Sequence, residues 1–313
     1  MNRSTALQFT AGALAAAAIG TPRSARAQNG KLRVAALPID IAGAAYYAQD
    51  QGFFAKNGLD VELVTLANGA AVAAAVAGGA LDIGNGNSIA ISSAYEHGIA
   101  FRMLAPSGAY TKDDPSDGLI VQAGSPIRTA ADLAGKTIGI NGLRNISEIY
   151  TRSWIDKNGG NSGTAQFTEL SFAEMGAAVQ SGRVACAAVE EPQLTSALAT
   201  GGIRQICSPG EAIAPIWIEG GYFCTEDFVK THLDVVRRVA QAIRDANDWA
   251  NKNRAASAAI LGKYSKTQIV PKHRCYYPPR LDAAQLQPLI DGAVRYGVLK
   301  GFRAQDIFVP GLT

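Results

Sequence analysis

Three charged residues in short loops of the sequence have the chemistry to recognise a small polar ligand. Asp40 and Glu190 could accept hydrogen bonds from N–H or O–H groups, and Arg144 could bind a carboxylate or sulfonate through two guanidinium nitrogens. Each has an ordinary structural alternative: the acids could stabilise the start of a following helix, and the arginine could be a solvated surface residue. These residue types indicate ligand binding and leave the charge of the ligand open.

The other candidates lie in or near the same loops and are small, polar or aromatic: Tyr46, Asn87, Ser88, Gly142, Asn145 and Trp217. The small and polar ones could offer backbone N–H, amide or hydroxyl groups to an oxygen-rich ligand, or they could cap helices. The two aromatic residues could stack on a ligand, although packing in a core is the commoner role of such side chains.

The sequence offers little support for catalysis or for metal binding. His97, His232 and His273 are far apart in the chain, and neither GxSxG nor HExxH occurs. Glu190 and Glu191 are adjacent, but side chains of successive residues seldom converge on one bond. We therefore expect no catalytic residue, no metal and no cofactor.

The elements around the candidate loops predict where those loops lie. Short apolar runs alternate with helical patterns, which predicts mostly parallel sheets flanked by helices. Ligands of such open sheets bind beyond the carboxyl ends of the strands. The loops in that position are Pro38–Gly43, Asn85–Ser88, Gly142–Ser147 and Glu190–Pro192.

An internal repetition divides these loops between two similar halves. Residues 74–81 (AAVAGGAL) resemble residues 177–184 (AAVQSGRV), and each stretch has a glycine between a helix end and a strand. The runs Lys31–Ala36 and Lys136–Asn141 are lysine-led strands at nearly the same offset. Alanine-rich helices can match by chance, but two coincident features favour two lobes whose loops face one cleft.

Two apolar runs, Leu119–Gln122 and Ile213–Phe223, bracket the second half and are interpreted as connections between the lobes. The predicted organisation is a signal peptide at 1–27, the first part of lobe 1 at 28–119, lobe 2 at 120–217, and a return to lobe 1 with C-terminal helices at 218–313. Helices expected in the last segment, over His232–Asn251 and Leu281–Leu299, should pack on lobe 1.

The N-terminal segment and the charge of the chain limit its location and partners. The apolar run Leu7–Gly20 follows Arg3, and Ala25-Arg26-Ala27 has the small-residue pattern of a cleavage site, which predicts export to the periplasm. No later stretch has the roughly 18 apolar residues of a membrane span. The first 27 residues contain three arginines and no acid, so the rest of the 313-residue chain carries 26 basic and 26 acidic residues. This balance disfavours nucleic acid or an anionic membrane as a partner.

Four cysteines occur, at positions 186, 207, 224 and 275. Export permits disulfides, but the spacing does not choose among the three possible pairings. The alternative is that the cysteines are small buried apolar residues.

Four stretches carry a family resemblance: residues 48–61 (AQDQGFFAKNGLDV), 79–84 (GALDIG), 131–139 (ADLAGKTIG), and Glu191-Pro192 after a strand. Together they resemble the solute-binding proteins of ABC importers, in the branch that binds aliphatic sulfonates, taurine, nitrate and thiamine-pyrimidine precursors. The resemblance implies an α/β, two-lobed type II periplasmic binding protein fold, with two crossover segments and the ligand between the lobes. One departure is Ala185, the counterpart of Asp82, where many relatives keep an acid.

The same resemblance implies a function and partners. The protein would capture a small polar or anionic organic solute (a sulfonate, a carboxylate or a nitrogen-containing heterocycle) and deliver it to the permease and ATPase of an importer. A monomer is expected, without nucleic acid and without membrane insertion after signal removal. Two alternatives stay open: an exported enzyme that uses a cleft glutamate, and a sensory protein that presents its ligand to a membrane receptor.

Overall fold

The structure, a computed structural model, describes residues 30–66, 69–266, 269–271 and 273–312. The signal peptide expected at residues 1–27 lies outside the described residues. None of the described helices is long and apolar enough to cross a membrane.

Strands and helices alternate through most of the described chain. The strands are β1 (Leu32–Ala36), β2 (Val61–Thr65), β3 (Gly84–Asn87), β4 (Phe101–Pro106), β5 (Ala109–Thr111), β6 (Asp117–Gln122), β7 (Thr137–Ile140), β8 (Gln166–Glu169), β9 (Cys186–Glu190), β10 (Ile203–Cys207), β11 (Ile216–Ile218) and β12 (Gly220–Thr225). The α-helices are α1 (Ala44–Asp50), α2 (Phe53–Lys56), α3 (Gly69–Ala77), α4 (Ser88–Glu96), α5 (Ile146–Lys157), α6 (Phe172–Gln180), α7 (Gln193–Ala199), α8 (Glu226–Thr231), α9 (Leu233–Lys252), α10 (Arg254–Ser265) and α11 (Ala283–Arg295).

The first sheet has the strand order β2, β1, β3, β12, β4. Strand β1 is parallel to β2, and Val34 of β1 also forms a parallel bridge to Ile83, the residue before β3. Strand β12 comes from late in the chain and runs antiparallel between β3 and β4. The sheet therefore has four strands in one direction and one in the other.

The second sheet repeats this arrangement with the order β8, β7, β9, β6, β10. Strand β7 is parallel to β8 and β9, and β6 runs antiparallel between β9 and β10. Each strand of the second sheet thus has a counterpart in the first. The duplication expected from the repeated sequence pattern is confirmed.

Each half also places a glycine with left-handed backbone between a helix and a strand. Gly79 (φ 72°) follows α3, and Gly182 (φ 74°) follows α6. The halves differ beyond this point: the Asp82 carboxylate accepts hydrogen bonds from the backbone N–H and the guanidinium of Arg33, both at 2.8 Å, and Ala185 has no such group.

Strands β5 and β11 form a separate antiparallel pair between the two sheets, with Trp217 opposite Tyr110. Of the two predicted connections, Ile213–Phe223 does contain β11. Leu119–Gln122 does not connect the lobes, because it lies within β6, and the crossing segment is β5 instead. Its apolar run reflects a strand buried up to Val121 inside the second sheet. The lobe boundaries themselves stay predictions.

The C-terminal helices contact both halves. Helix α9 buries Val236, Val239 and Ile243 in the same apolar cluster as Tyr47 of α1, on the first sheet, as expected. Helix α11 packs against α5 as well, which the sequence did not indicate.

The chain after α11 returns to the first sheet. The Glu96 carboxylate of α4 accepts hydrogen bonds from the backbone N–H groups of Lys300 and Gly301, at 2.9 and 2.8 Å, and the N–H of Val309 donates to Met103 of β4 at 2.8 Å. This segment therefore belongs structurally to the first half.

The four cysteines are free thiols, and Cys186, Cys224 and Cys275 are buried. No disulfide is formed, so the alternative of small buried residues describes these three. Burial raises the pKa of Cys186 to about 12, which keeps the thiol neutral.

The two left-handed glycines provide a test of the duplication. We expect Gly79→Ala and Gly182→Ala each to lower the free energy of unfolding by about 1 kcal/mol, because a Cβ disfavours positive φ. Gly124→Ala is the control, since Gly124 has no positive φ and open space around its Cβ position. Urea denaturation measures all three, and equal stabilities of the two variants and the control would contradict the assigned backbone.

Candidate ligand-binding site

Glu219 lies between β11 and β12, where the connecting strands enter the first sheet, and only 5% of it is exposed. Its backbone N–H donates to Gly108 at 3.1 Å, and its carbonyl accepts from the N–H of Ser88 at 2.8 Å. Its carboxylate accepts a hydrogen bond from the Ser116 hydroxyl at 3.1 Å. Glu219 thus joins both connections to the start of α4.

Two further acids lie at the edge of the second sheet that faces Glu219. Asp117 of β6 pairs directly with Glu190 of β9, so their side chains lie on the same face of the sheet. The Asp117 carboxylate accepts hydrogen bonds from the Ser208 hydroxyl and from the N–H of Gly210 at 2.7 Å. The half-buried Glu190 accepts a long hydrogen bond, 3.5 Å, from the Tyr150 hydroxyl.

These three carboxyl groups act on one another electrostatically. Burial raises the pKa of Glu219 well above its ordinary value, and the charges of Glu190 and Asp117 raise it further. The pKa of Glu190 is raised by burial and by the charge of Asp117. Burial raises the pKa of Asp117 to about 6 against the opposing effect of its two hydrogen bonds. The site therefore has a strongly negative potential whenever these groups are ionised.

Asp40 lies near this group but is already bound within the chain. Its carboxylate accepts hydrogen bonds from the Arg274 guanidinium at 2.6 Å, the Tyr277 hydroxyl at 2.9 Å and the N–H of Cys275 at 2.8 Å. Its charge contributes to the raised pKa of Glu219, which places it close to the acid group. Asp40 therefore fixes the loop after β1, and its carboxylate already accepts three hydrogen bonds from the chain and pairs with the charge of Arg274.

Glu191, next to Glu190, is likewise satisfied locally. Its carboxylate accepts hydrogen bonds from the backbone N–H of Thr195 at 3.2 Å and from the Thr195 hydroxyl at 2.8 Å. This is the helix-start role that acids often have, and it belongs to Glu191, not to the predicted Glu190.

The two predicted aromatic residues are buried. The Tyr46 hydroxyl donates to Ala36 at 3.1 Å, inside the first lobe. The indole N–H of Trp217 donates to Gly210 at 2.9 Å, and its ring stacks on Tyr110 with centroids 5.6 Å apart. Both pack in the core, the commoner role of such residues.

Asn87 and Ser88 begin α4 beside Glu219. Asn87 caps the helix, with its side-chain oxygen accepting from the N–H of Ala90 at 2.8 Å. The Ser88 hydroxyl is buried and donates to Ile218 at 3.0 Å. Both side chains therefore bond within the chain, Asn87 to the first turn of α4 and Ser88 to β11.

The loop that contains Gly142 and Asn145 starts α5. Asn145 is the cap residue, and its side chain accepts from the N–H of Ile146 at 2.7 Å. The N–H of Leu143 donates to the Glu169 carboxylate at 2.8 Å. The N–H groups of Leu143 and Ile146 therefore already donate to carboxylate and amide oxygens of the chain.

Arg144 points away from the acid group. Its guanidinium donates to the backbone carbonyls of Gly297 and Val298, at 2.7 and 3.3 Å, and its own N–H donates to Glu148 at 2.6 Å. Arg144 therefore links the start of α5 to the segment after α11, a role for which the sequence gave no signal.

Three of the four predicted loops meet near Glu219: those of Asp40, of Asn87 with Ser88, and of Glu190. The fourth loop begins helix α5, which contributes the Tyr150 hydroxyl that donates to Glu190. The sequence reasoning missed Glu219 and Asp117. A signal existed, because Glu219 is an isolated acid inside the apolar run Ile216–Phe223, a pattern that requires a specific partner.

The acids do not form a metal centre. Within the described ranges, no three His, Cys, Asp or Glu side chains are placed so that they could hold a metal ion.

Residues 41–257 match the family model described as NMT1/THI5 like. The chain belongs to the NMT1/THI5-like family. No curated protein matches the sequence. The matched residues include the second sheet, strands β2, β3, β4 and β12 of the first sheet, and the acids Asp117, Glu190 and Glu219, but not strand β1 or Asp40.

Solved structures share the fold of this family member. The ligand-binding component of an ABC-type import system from Staphylococcus aureus, with zinc bound, is 15% identical, with a TM-score of 0.76 over 90% of this chain and 97% of that one. The periplasmic aliphatic sulphonate binding protein SsuA from Escherichia coli is 19% identical, with a TM-score of 0.73 over 90% and 92%. The periplasmic nitrate-binding protein NrtA from Synechocystis PCC 6803 is 15% identical, with a TM-score of 0.67 over 86% and 82%. The predicted family resemblance and two-lobed periplasmic binding protein fold are confirmed.

The Asp40–Arg274 ion pair yields a stability prediction. Arg274 is 1% exposed, so Arg274→Met should leave a buried carboxylate without its counter-charge and lower the free energy of unfolding by about 3–5 kcal/mol. The exposed ion pair of Arg303 with Asp306 provides the control, Arg303→Met, for which only a small change is expected. Urea denaturation measures both, and similar effects of the two substitutions would contradict the buried pair.

Glu219 yields a prediction for pH. The pKa of Glu219 is higher in the folded state than in the unfolded chain. Its carboxyl group therefore costs no stability below about pH 4, where it is protonated in both states, and lowers the free energy of unfolding as the pH rises through the folded-state pKa. Glu219→Gln should therefore raise the melting temperature at pH 8 and change it little at pH 4.

A control of opposite sign is Glu226→Gln. A hydrogen bond from Lys230 and the charge of Arg102 lower the pKa of Glu226, so the stabilisation from its carboxylate is present at neutral pH and lost as the pH falls through the lowered value. A Glu219→Gln variant that is less stable than the parent at pH 8 would contradict the assigned environment.

Proposed function

We propose that this protein is the solute-binding component of an ABC importer and that it captures a small polar organic solute between its two lobes. The main support is the meeting of three strand-end loops at Glu219, where both connections enter the first sheet. Ligands of open α/β sheets bind beyond the carboxyl ends of the strands, and here two such sheets present those ends to each other.

The family and the fold support the same role. The S. aureus, E. coli and Synechocystis proteins are described as a component of an ABC-type import system, a sulphonate-binding protein and a nitrate-binding protein. All three hold a small solute or ion on a fold that this chain shares. The expected partners are accordingly a membrane permease and its ATPase, and the expected location is the periplasm, reached through the signal peptide.

The mechanism we propose is closure of the lobes on the solute. The β5–β11 pair is the short segment about which the two sheets would move, and a ligand that contacts both sheets favours the closed state. Glu190 on the second sheet and Glu219 on the first would contact the solute from opposite sides. The closed monomer then presents its surface to the permease.

Of the residues predicted from the sequence, we retain Glu190 as a ligand contact. Asn87 and Ser88 position the loop beside it, and Asp40 holds the neighbouring turn. Arg144, Gly142 and Asn145 shape the start of α5, while Tyr46 and Trp217 support the site from the two cores.

Mass spectrometry of the small molecules that purify with the exported protein tests this proposal. We expect one solute in about equimolar amount, which Glu190→Ala loses and Arg144→Ala retains, because Glu190 belongs to the acid group whereas the Arg144 guanidinium is bound to the carbonyls of Gly297 and Val298. Calorimetry with the recovered compound should give a dissociation constant of about 1 µM or lower.

Two results would contradict the proposal. If neither co-purification nor calorimetry detects a ligand for the folded protein, capture of a solute is wrong. Recovery of a chemically altered compound would instead support the enzyme alternative, with Glu190 as the group that transfers protons.

A further inference from the structure

We propose that the solute is a nitrogen compound that donates hydrogen bonds, such as an amine, an amidine or an amino-substituted heterocycle, and that Glu190 and Glu219 are the acceptors that recognise it. This inference rests on the proposed function and adds the chemical class of the ligand. It excludes sulfonates, carboxylates and nitrate as the main solute.

The acids of the site differ in how many hydrogen bonds they accept from the chain. Three of them accept two or more hydrogen bonds from the chain: Asp40, Asp117 and Glu191. Among the described residues, Glu219 accepts one side-chain hydrogen bond, from Ser116 at 3.1 Å, and Glu190 accepts one from Tyr150 at 3.5 Å, the limit of such a contact. A carboxylate offers about four lone-pair positions. Acceptors are therefore left over on the two acids that face each other from opposite sheets.

A buried serine hydroxyl without a hydrogen-bond partner lies beside Glu219. The Oγ atom of Ser107 is buried, in a residue that is 0% exposed, and has no hydrogen-bond partner among the described residues. The N–H of Ser107 donates to Gly220 at 2.9 Å, which places the serine next to Glu219. Its Oγ lies 2.8 Å from where a Cβ on Gly220 would be, so the glycine leaves space at this junction. A buried hydroxyl without a hydrogen-bond partner destabilises the fold, and a ligand that exchanges hydrogen bonds with it removes that penalty.

The N–H and guanidinium groups that could bind an anion already donate hydrogen bonds to oxygen atoms of the chain. At the start of α5, Glu169 and Glu148 accept the N–H groups of Leu143 and Arg144. The Arg144 guanidinium binds backbone carbonyls after α11. An incoming sulfonate or carboxylate would have to displace these bonds and would then lie beside like charges.

The electrostatic surroundings favour the same class. The groups that act on Glu219 and Glu190 are Asp117 and Tyr150 from the second lobe, and Asp40 with the Ser116 hydroxyl from the first lobe and the connection. The charged members of this set are acids. Burial and these charges raise the pKa of both glutamates, whereas a donating ligand favours their ionised form. Binding should therefore release protons and tighten as the pH rises from about 5 to about 8.

The test is calorimetry and thermal shift of the exported protein with probes matched in shape and opposite in chemistry. Benzamidine is compared with benzoate and benzenesulfonate, ethylammonium with ethanesulfonate, and 4-aminopyrimidine with pyrimidine-4-carboxylate. We expect stabilisation only from the donating member of a pair, with an affinity at pH 8 at least about tenfold higher than at pH 5, where the glutamates hold protons. Stabilisation by an anion with no N–H group, or an affinity that falls as the pH rises, would overturn the inference.

Variants identify the acceptors. Glu190→Gln and Glu219→Gln should each weaken the donating probe about 10- to 100-fold, the range for a hydrogen bond to a charged group. Glu191→Gln is the matched control, because Glu191 is bound to Thr195, and should weaken the probe less than about threefold. Equal losses in all three variants would overturn the assignment, and the melting temperature of each variant shows that it is folded.

The outcomes separate this inference from the proposed function. Binding confined to the anionic probes overturns the ligand class and leaves solute capture standing. Binding by neither member of any pair, together with no co-purified solute, overturns solute capture itself.

Discussion

Burial of carboxyl groups where the two sheets face each other is the constraint around which this protein is arranged. A carboxylate removed from water is costly unless hydrogen bonds or an opposite charge compensate for the loss. The Arg274 guanidinium compensates for the burial of Asp40, and hydrogen bonds from Ser208 and Gly210 compensate for the burial of Asp117. Glu190 and Glu219 each accept only one side-chain hydrogen bond among the described residues, and these two acids lie on either side of the expected cleft. Hydrogen-bond acceptors are therefore left over on these two acids, which are the proposed ligand contacts.

The same region provides the mechanical connection between the halves. Glu219 directly follows β11, and its backbone is bonded both to the first crossing segment and to the start of α4. A ligand that engages its carboxylate therefore acts on the strand that joins the sheets, not on a remote surface loop. In the proposed mechanism recognition and closure share one set of residues, so a ligand contact at Glu219 would act directly on the balance between open and closed states.

Sequence reasoning succeeded where local pattern determines structure. The repeated glycines and lysine-led strands predicted the duplicated sheets, because backbone conformation and strand periodicity are encoded over a few residues. It failed where tertiary contacts decide. Arg144 had the chemistry to bind an anion, yet backbone carbonyls 153 residues away bind it instead. Leu119–Gln122 looked like a connection because a strand buried on both faces and an apolar linker share one composition. Glu219 was not predicted as a site residue because its role depends on contacts with residues of both connections, which are distant in the sequence.

The bond between Arg144 and the carbonyls after α11 bears on how the halves can move. The segment of Gly297 is held to the first sheet through Glu96, so this bond ties the second half to the first at a place separate from the β5–β11 pair. The neighbouring Tyr296 hydroxyl donates to Asp156, near the other end of α5, at 2.9 Å. Residues 296–298 therefore bind α5 close to both of its ends, and any movement of one half relative to the other would have to carry this segment along or break these bonds.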